Sequence, residues 1–241
     1  MKAVILAGGK GTRLTPYTRI LPKPLIPIGD LPILEILLRQ MKKAGIEEVI
    51  LTTGHLAGLL HAFFQDGRRL GLDIRYSYEE DPLGTAGPLS LIEGLDETFI
   101  VSNGDILTTL DLKLLAEAHS SSDAIVTIAT HKRKVQIDLG VIQFDAMDYQ
   151  ITDYFEKPAY DFQVSMGIYV FEPRVLDYIE HKQYLDFPDL ILRLINAGEL
   201  VRGYPYEGYW QDLGNMDDYE QAVQDFEEMK SQLLPDDGNQ N

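Results

Sequence analysis

Three stretches of this chain place charged side chains beside backbone that a ligand could approach closely. The first is LAGGKGTRLTPYTRILPKPL, residues 6–25, where an apolar run ends in Gly8, Gly9 and Gly11 and is followed by Arg13 and Lys23. Backbone N–H groups in such a turn can surround an anion, because glycine has no obstructing side chain and reaches positive φ easily. Arg13 can offer paired donors to a triphosphate, and Lys23, set between Pro22 and Pro24, is a point charge on a stiffened loop. Two familiar phosphate motifs do not fit. A Walker A loop needs Ser or Thr after its lysine, whereas Lys10 is followed by Gly11, and a dinucleotide fingerprint needs Gly where Leu14 stands. Taken alone, the glycines fit a plain tight turn as well as a phosphate cradle, and LPKPL fits a rigid surface loop.

The second stretch is EEDPLGTAGPL, where Gly84, Thr85, Ala86 and Gly87 leave space for something flat against the backbone. Thr85 suits an N-cap and Pro88 a first helical turn, so an ordinary strand-to-helix turn is the competing reading. The third is FEKP, which sets the carboxylate of Glu156, suited to sugar hydroxyls, beside the ammonium of Lys157, suited to a sugar phosphate. An acid and a base before proline also read as a solvated turn. Two further acids stand out. Asp105 follows the carboxyl end of an apolar run, where ligands bind in open α/β sheets, and Asp212 lies far away in GYWQDLG. Two carboxylates with phosphate oxygens and water suit Mg²⁺, although each aspartate taken singly reads as a turn or cap residue.

The elements that must hold these residues alternate. KAVILA, EEVILTTG, LDIRYSYE, TFIVSNGD and DAIVTIATHK read as strands, and PILEILLRQMKKAG, LAGLLHAFFQDG and LKLLAEAHS as helices. Strands alternating with helices imply an α/β layered, Rossmann-like fold with a mostly parallel, mixed sheet. From about residue 132 to 171 the texture changes to LGVIQFD, ITDYFEKP and VSMGIYVF, short strand-like runs without helices, read as a mixed or antiparallel lobe. EPRVLDYIE, PDLILRLINAG and MDDYEQAVQDFEEMKSQLL return to helical spacing, and PDDGNQN is a polar tail. The expected organisation is one domain over residues 1–230, with an alternating α/β part at 1–131, a small lobe at 132–215 and a tail at 231–241; the resemblance described below implies that the first is the nucleotide-binding part and the second the sugar-binding lobe.

Composition narrows the partners. The 241 residues are 45% hydrophobic, enough for a substantial core, and carry 21 basic against 38 acidic side chains for a net charge of −17. That excess repels nucleic acid and anionic membranes, so a phosphate-bearing partner is a small molecule in a local positive pocket. The chain has no cysteine, which excludes disulfides, thiolate metal sites and cysteine nucleophiles. Residues 3–7 are too short for a signal-peptide core and no run approaches the ~18 apolar residues of a membrane span, so a cytoplasmic protein is expected. The five histidines are scattered without metal spacing and receive no role, and Trp210 is read as packing.

The opening LAGGKGTRLTPYTRILPKPL resembles the start of the sugar-1-phosphate nucleotidylyltransferases, and NGD, FEKP and YWQDLG follow in that family's order. The resemblance implies a nucleoside triphosphate wrapped by Leu6, Ala7, Gly8, Gly9, Gly11, Thr12 and Arg13, with Arg13 and Lys23 as the catalytic pair holding phosphates during transfer. It pairs Asp105 and Asp212 as Mg²⁺ ligands. It also implies that Glu156 and Lys157 bind the sugar phosphate, that Gly140 places its backbone near the sugar, and that Gly84 and Thr85 contact the base. PLGTAGPL looks most like members that make GDP-mannose and related GDP-sugars. Glu79 lies where the base edge is expected, and its carboxylate can accept two hydrogen bonds from guanine but has no donor for the carbonyls of uracil or thymine. One departure concerns the sugar: Ser165, Met166 and Gly167 stand where most members have Asn-Ala-Gly.

The expected reaction is therefore transfer of a nucleotidyl group from GTP to mannose 1-phosphate. The alternatives are a uridylyl- or thymidylyltransferase acting on glucose 1-phosphate, or a non-catalytic homologue that binds a nucleotide sugar and regulates a partner. The expected partners are a nucleoside triphosphate and a sugar 1-phosphate, with a homodimer left open.

Overall fold

A computed structural model describes residues 1–9 and 11–234; Lys10 and the PDDGNQN tail lie outside the described residues. The chain begins with β1 (Lys2–Leu6), the short pair β2 (Pro27–Ile28) and β3 (Leu31–Pro32), then α1 (Ile33–Lys43), β4 (Glu48–Thr53), α2 (Ala57–Phe64) and β5 (Asp73–Tyr78). There follow β6 (Phe99–Asn103), β7 (Ile106–Thr108), α3 (Leu112–Ser120), β8 (Val126–Gln136), β9 (Gly140–Phe144), β10 (Ile151–Glu156) and β11 (Ala159–Phe171). The last elements are α4 (Phe187–Asn196), β12 (Val201–Tyr206), β13 (Trp210–Asp212) and α5 (Met216–Leu233).

Seven strands form the main sheet in the order β12-β8-β11-β6-β1-β4-β5. β1 runs parallel to both β4 and β6, β4 to β5 and β12 to β8, while β11 is antiparallel to both its neighbours. The mostly parallel mixed sheet of an α/β fold is thus present. Alternation along β1 explains the layering: Ala3 and Ile5 join Leu34, Leu37, Leu38 and Leu60 on one face, and Val4 joins Leu89, Phe187 and Leu190 on the other. The unbroken apolar run of β1 reflects burial on both faces. A third cluster packs Ile33 and Ile36 of α1 against Ala222 and Phe226 of α5.

Three corrections concern local structure. VRGYPY forms the edge strand β12, and Trp210–Asp212 pairs antiparallel with Ile106–Thr108 as β13 and β7; none was expected, because VRGYPY mixes tyrosine, proline and charge and the other two runs are only three residues long. EPRVLDYIE contains a 3₁₀ helix, Pro173–Tyr178, rather than an α-helix. β11 is one 13-residue strand, of which VSMGIYVF is only the second half. Its first half pairs with the far end of β8 and leaves the sheet as a ribbon, and the separate β9–β10 hairpin connects the two strands. Within 132–215, the end of β11, α4 and β12 belong to the main sheet and its layers. No helix among the described residues is long and apolar enough to cross a membrane.

Candidate active site

The carboxyl ends of β1, β4 and β6 are level with one another: Leu6 is in register with Thr52 on one side and Asn103 on the other. After β5 the chain crosses to the other side of β1 to form β6, creating the switch point at which open α/β sheets bind ligands. A cavity of about 940 Å³ opens there. Its lining includes Leu6, Ala7, Gly8, Gly9, Gly11, Thr12, Arg13, Glu79, Gly84 and Thr85, all ten residues expected to bind the nucleotide, together with Lys23 and Asp105. Sequence reasoning missed His55, Leu56, Tyr78, Glu80, Pro82 and Tyr184, which also line it. Their signal was present only as position: five of the six lie within four residues of the ends of β4 and β5.

The glycines divide the work differently from the sequence reading. Gly11 has φ +58°, and a Cβ there would come within 2.8 Å of Thr18 Cγ2 and 3.2 Å of Lys23 Cβ, so its bareness lets the lysine loop close against the glycine turn. Thr18 Oγ1 completes that closure by donating to Gly11 O at 2.8 Å. Gly8 makes room for the carboxylate of Glu79, and Gly9 alone faces open space. At the second glycine cluster the space is taken by protein. A Cβ on Gly84 would lie 2.6 Å from Leu185 O and one on Gly87 would lie 2.5 Å from Gln183 O. These glycines therefore accommodate the backbone of the 183–186 segment. Ala86 and Gly87 donate to Leu185 O at 2.8 and 3.0 Å, and Leu185 N–H returns a bond to Leu83 O at 2.9 Å. Thr85 does not cap a helix of its own. Its Oγ1 accepts from Phe187 N–H at 2.8 Å, so it caps α4 from across the fold.

Glu79 is half-buried against this floor. Its Oε2 accepts from Leu83 N–H at 3.1 Å, while Oε1 lies over Gly8 and Gly54. Burial pushes its carboxyl above the usual range, and the Leu83 amide only partly opposes this.

The charged centre lies beside the cavity. Antiparallel pairing of β7 with β13 sets Asp212 opposite Ile106, and Leu213 N–H donates to Asp105 O at 3.2 Å. This pairing brings together two acids 107 positions apart. The Lys23 ammonium forms an ion pair with Asp105, and Asp212 Oδ1 stands 4.0 Å from the same nitrogen. Burial first and the Asp105 carboxylate second raise the pKa of Asp212, with Lys23 and Arg13 pulling it back. Two mutually repelling carboxylates gathered around a cation are a hard-oxygen donor set that fits Mg²⁺, with phosphate oxygens and water completing the shell. No group of three or more His, Cys, Asp or Glu among the described residues forms a metal cage.

The residues expected at the sugar lie elsewhere. Gly140, Glu156 and Lys157 are exposed on the β9–β10 hairpin, where Gly140 pairs with Glu156 and leaves space for Tyr154, whose hydroxyl donates to Glu156 Oε2 at 3.1 Å. They do not line the cavity. Ser165 sits at the root of the ribbon, where β11 bulges, and its Oγ donates to Tyr169 OH at 3.1 Å and accepts from Gly167 N–H at 3.2 Å. Trp210 donates its indole N–H to Met166 O at 3.1 Å and packs against His131.

Comparison with known proteins matches the same span. The family described as nucleotidyl transferase matches residues 2–229. A UTP–glucose-1-phosphate uridylyltransferase of Synechocystis is 37% identical over 92% of this chain, and a mannose-1-phosphate guanylyltransferase of Mycobacterium tuberculosis is 38% identical over 90%. The chain spans 62% of the length of each. Among solved structures, a candidate glucose-1-phosphate thymidylyltransferase from Bacillus anthracis shares the fold with a TM-score of 0.76 at 24% identity, over 93% of this chain and 94% of that one.

Proposed function

The chain belongs to the nucleotidyl transferase family, and from that premise we propose that it transfers a nucleotidyl group from a nucleoside triphosphate to a sugar 1-phosphate, releasing pyrophosphate. The carrying observation is the convergence of Arg13, Lys23, Asp105 and the glycine turn on one cavity at the carboxyl ends of β1, β4 and β6. A phosphate monoester is largely dianionic at neutral pH, with a second pKa of about 6, so the sugar phosphate can attack without a protein base. In the proposed step its oxygen forms a bond to the α-phosphorus as the bond from that phosphorus to the bridging α,β-oxygen breaks. Pyrophosphate leaves with the electron pair.

Positioning and charge neutralisation supply the catalysis. Arg13 and Lys23 steady the transferring and leaving phosphates. Asp105 and Asp212 would hold Mg²⁺, which when bound supplies positive charge to the phosphate oxygens. Glu156 and Lys157 would bind the sugar phosphate, with Gly140 and Ser165 near the sugar.

GTP with mannose 1-phosphate is the favoured pair. Glu79 supports guanine, because it lines the cavity and a carboxylate can accept from the N1–H and N2–H₂ donors of that base. The similarity to a uridylyltransferase keeps UTP with glucose 1-phosphate as the second reading. The test is pyrophosphate release across GTP, UTP, dTTP, CTP and ATP, each with mannose 1-phosphate or glucose 1-phosphate, with and without Mg²⁺ and with Asp105→Asn as control. Release with one pair, lost in the control, supports transfer and names the substrates; silence across the grid favours a regulatory homologue. Glu79→Gln is expected to loosen the preference for GTP, and unchanged selectivity would refute the base assignment.

A further inference from the structure

The 183–186 segment has no regular secondary structure, yet it is pinned to the 83–87 loop. Gly84 and Gly87 give way to its backbone, Leu185 exchanges bonds with residues 83, 86 and 87, and Asp186 Oδ1 accepts from Thr85 N–H at 2.9 Å and from Thr85 Oγ1 at 3.2 Å. Asp186 Oδ2 then accepts from the Tyr184 hydroxyl at 2.7 Å. The phenol is thereby tethered at its far end to a carboxylate that is itself tethered to the cavity loop. Its ring nevertheless remains 65% exposed and lines the cavity.

A large aromatic ring left in solvent but fixed at its hydroxyl has lost the freedom that ordinarily accompanies exposure, without gaining burial in return. The missing contact lies on the cavity side. Pro82 and Pro88 line the same cavity, so apolar surface accompanies the carboxylates of Glu79 and Glu80 there. A nucleobase presents a π-face to such a ring and hydrogen-bonding edges to such a carboxylate. We propose that Tyr184 is the stacking platform for the base of the bound nucleotide, held in place by Asp186 and Thr85. This rests on the reading of the cavity as a nucleoside triphosphate site and extends it to a residue that sets affinity through the base.

The experiment measures binding of GTP, UTP and inorganic tripolyphosphate, each with Mg²⁺ present, by calorimetry to the full chain and to Tyr184→Ala, Tyr184→Phe and Tyr78→Ala. Stacking of one base on an aromatic side chain is expected to make Tyr184→Ala bind GTP roughly 5- to 150-fold more weakly. Tripolyphosphate, which has no base, should bind this variant as it binds the wild type. Tyr184→Phe keeps the ring and should stay within several-fold of wild type for GTP. Unchanged GTP affinity in Tyr184→Ala, equal weakening for GTP and tripolyphosphate, or a loss seen only in Tyr78→Ala would each overturn the proposal. The two readings fail separately: a chain that transfers no nucleotidyl group but still needs Tyr184 to bind GTP keeps the platform, and one that transfers normally with Tyr184→Ala binding as wild type loses it.

Discussion

Replacing Gly87 by alanine tests whether the second glycine cluster accommodates protein or ligand. The added Cβ would lie 2.5 Å from Gln183 O, 3.0 Å from Leu83 Cβ and 3.3 Å from Leu185 N. The carbonyl cannot rotate aside cheaply, because Leu185 N–H is bonded to Leu83 O and Leu185 O accepts from both Ala86 and Gly87. Forcing one methyl into a packed site costs about 1–3 kcal/mol, and each strap hydrogen bond stretched in relief costs a further ~1 kcal/mol or less. A loss of about 2–3 kcal/mol is expected, which for a chain of this size lowers the melting midpoint by roughly 4–12 °C. Urea denaturation followed by circular dichroism, with and without GTP, measures it. Destabilisation in the absence of nucleotide is the expected result. A variant as stable as wild type that no longer binds GTP would refute the argument, since the space would then have been kept for the ligand.

Glu35 is 2% exposed and accepts hydrogen bonds from Arg39 Nη2 at 2.9 Å and Arg69 Nη2 at 2.7 Å. Burial works to raise its pKa, but the two guanidiniums together hold it below the usual carboxylate range. Glu35→Gln should cost about 2–3 kcal/mol in urea denaturation, below the 3–5 typical of a broken buried pair because both arginines can regain water; a loss under 1 kcal/mol would contradict this. His119, buried between Thr127 Oγ1 at 2.8 Å and Glu172 Oε1 at 3.0 Å, has its pKa lowered by burial against the pull of Glu172. Its folded value lies below its unfolded value, so the unfolded chain binds more protons in that window and stability falls as pH drops below about 6.5. Urea midpoints at pH 7.5 and 5.5 should differ less in His119→Gln than in wild type, and an equal difference would exclude the histidine as the source.

What the sequence disclosed follows from the range of the interactions. The buried strands β1, β4 and β6 were legible because burial on both faces leaves an unbroken apolar run, and α1 because its apolar residues recur at helical spacing. The glycine turn was legible as a turn, but the partner of each glycine was not. Gly8 meets Glu79, 71 residues on, and Gly84 meets Leu185, 101 residues on, and no local pattern encodes such contacts. For the same reason Thr85 read as a cap for the helix beside it, although its hydroxyl serves Phe187. β7 and β13 left almost no trace at three residues each, yet their pairing brings Asp105 and Asp212 to one ammonium.

That convergence bears on how, on the proposed reading, a chain of net charge −17 would hold a triphosphate. Arg13 and Lys23 are the described cations of the cavity lining, but Lys23 is already paired with Asp105 and stands 4.0 Å from Asp212. The four side chains almost cancel, so simple attraction to a positive pocket does not account for binding. Exchange of partners does: a phosphate that takes Lys23 from Asp105 leaves two carboxylates facing each other, one of them already raised in pKa by burial and by its neighbour. Their repulsion is relieved if a divalent cation enters with the phosphates. On the proposed reading, then, Lys23 pairs before substrate arrives with the carboxylates that would hold the metal. Affinity for nucleotide and affinity for Mg²⁺ would then be one coupled quantity, and Asp105 and Asp212 would themselves select against phosphate anions arriving without a cation.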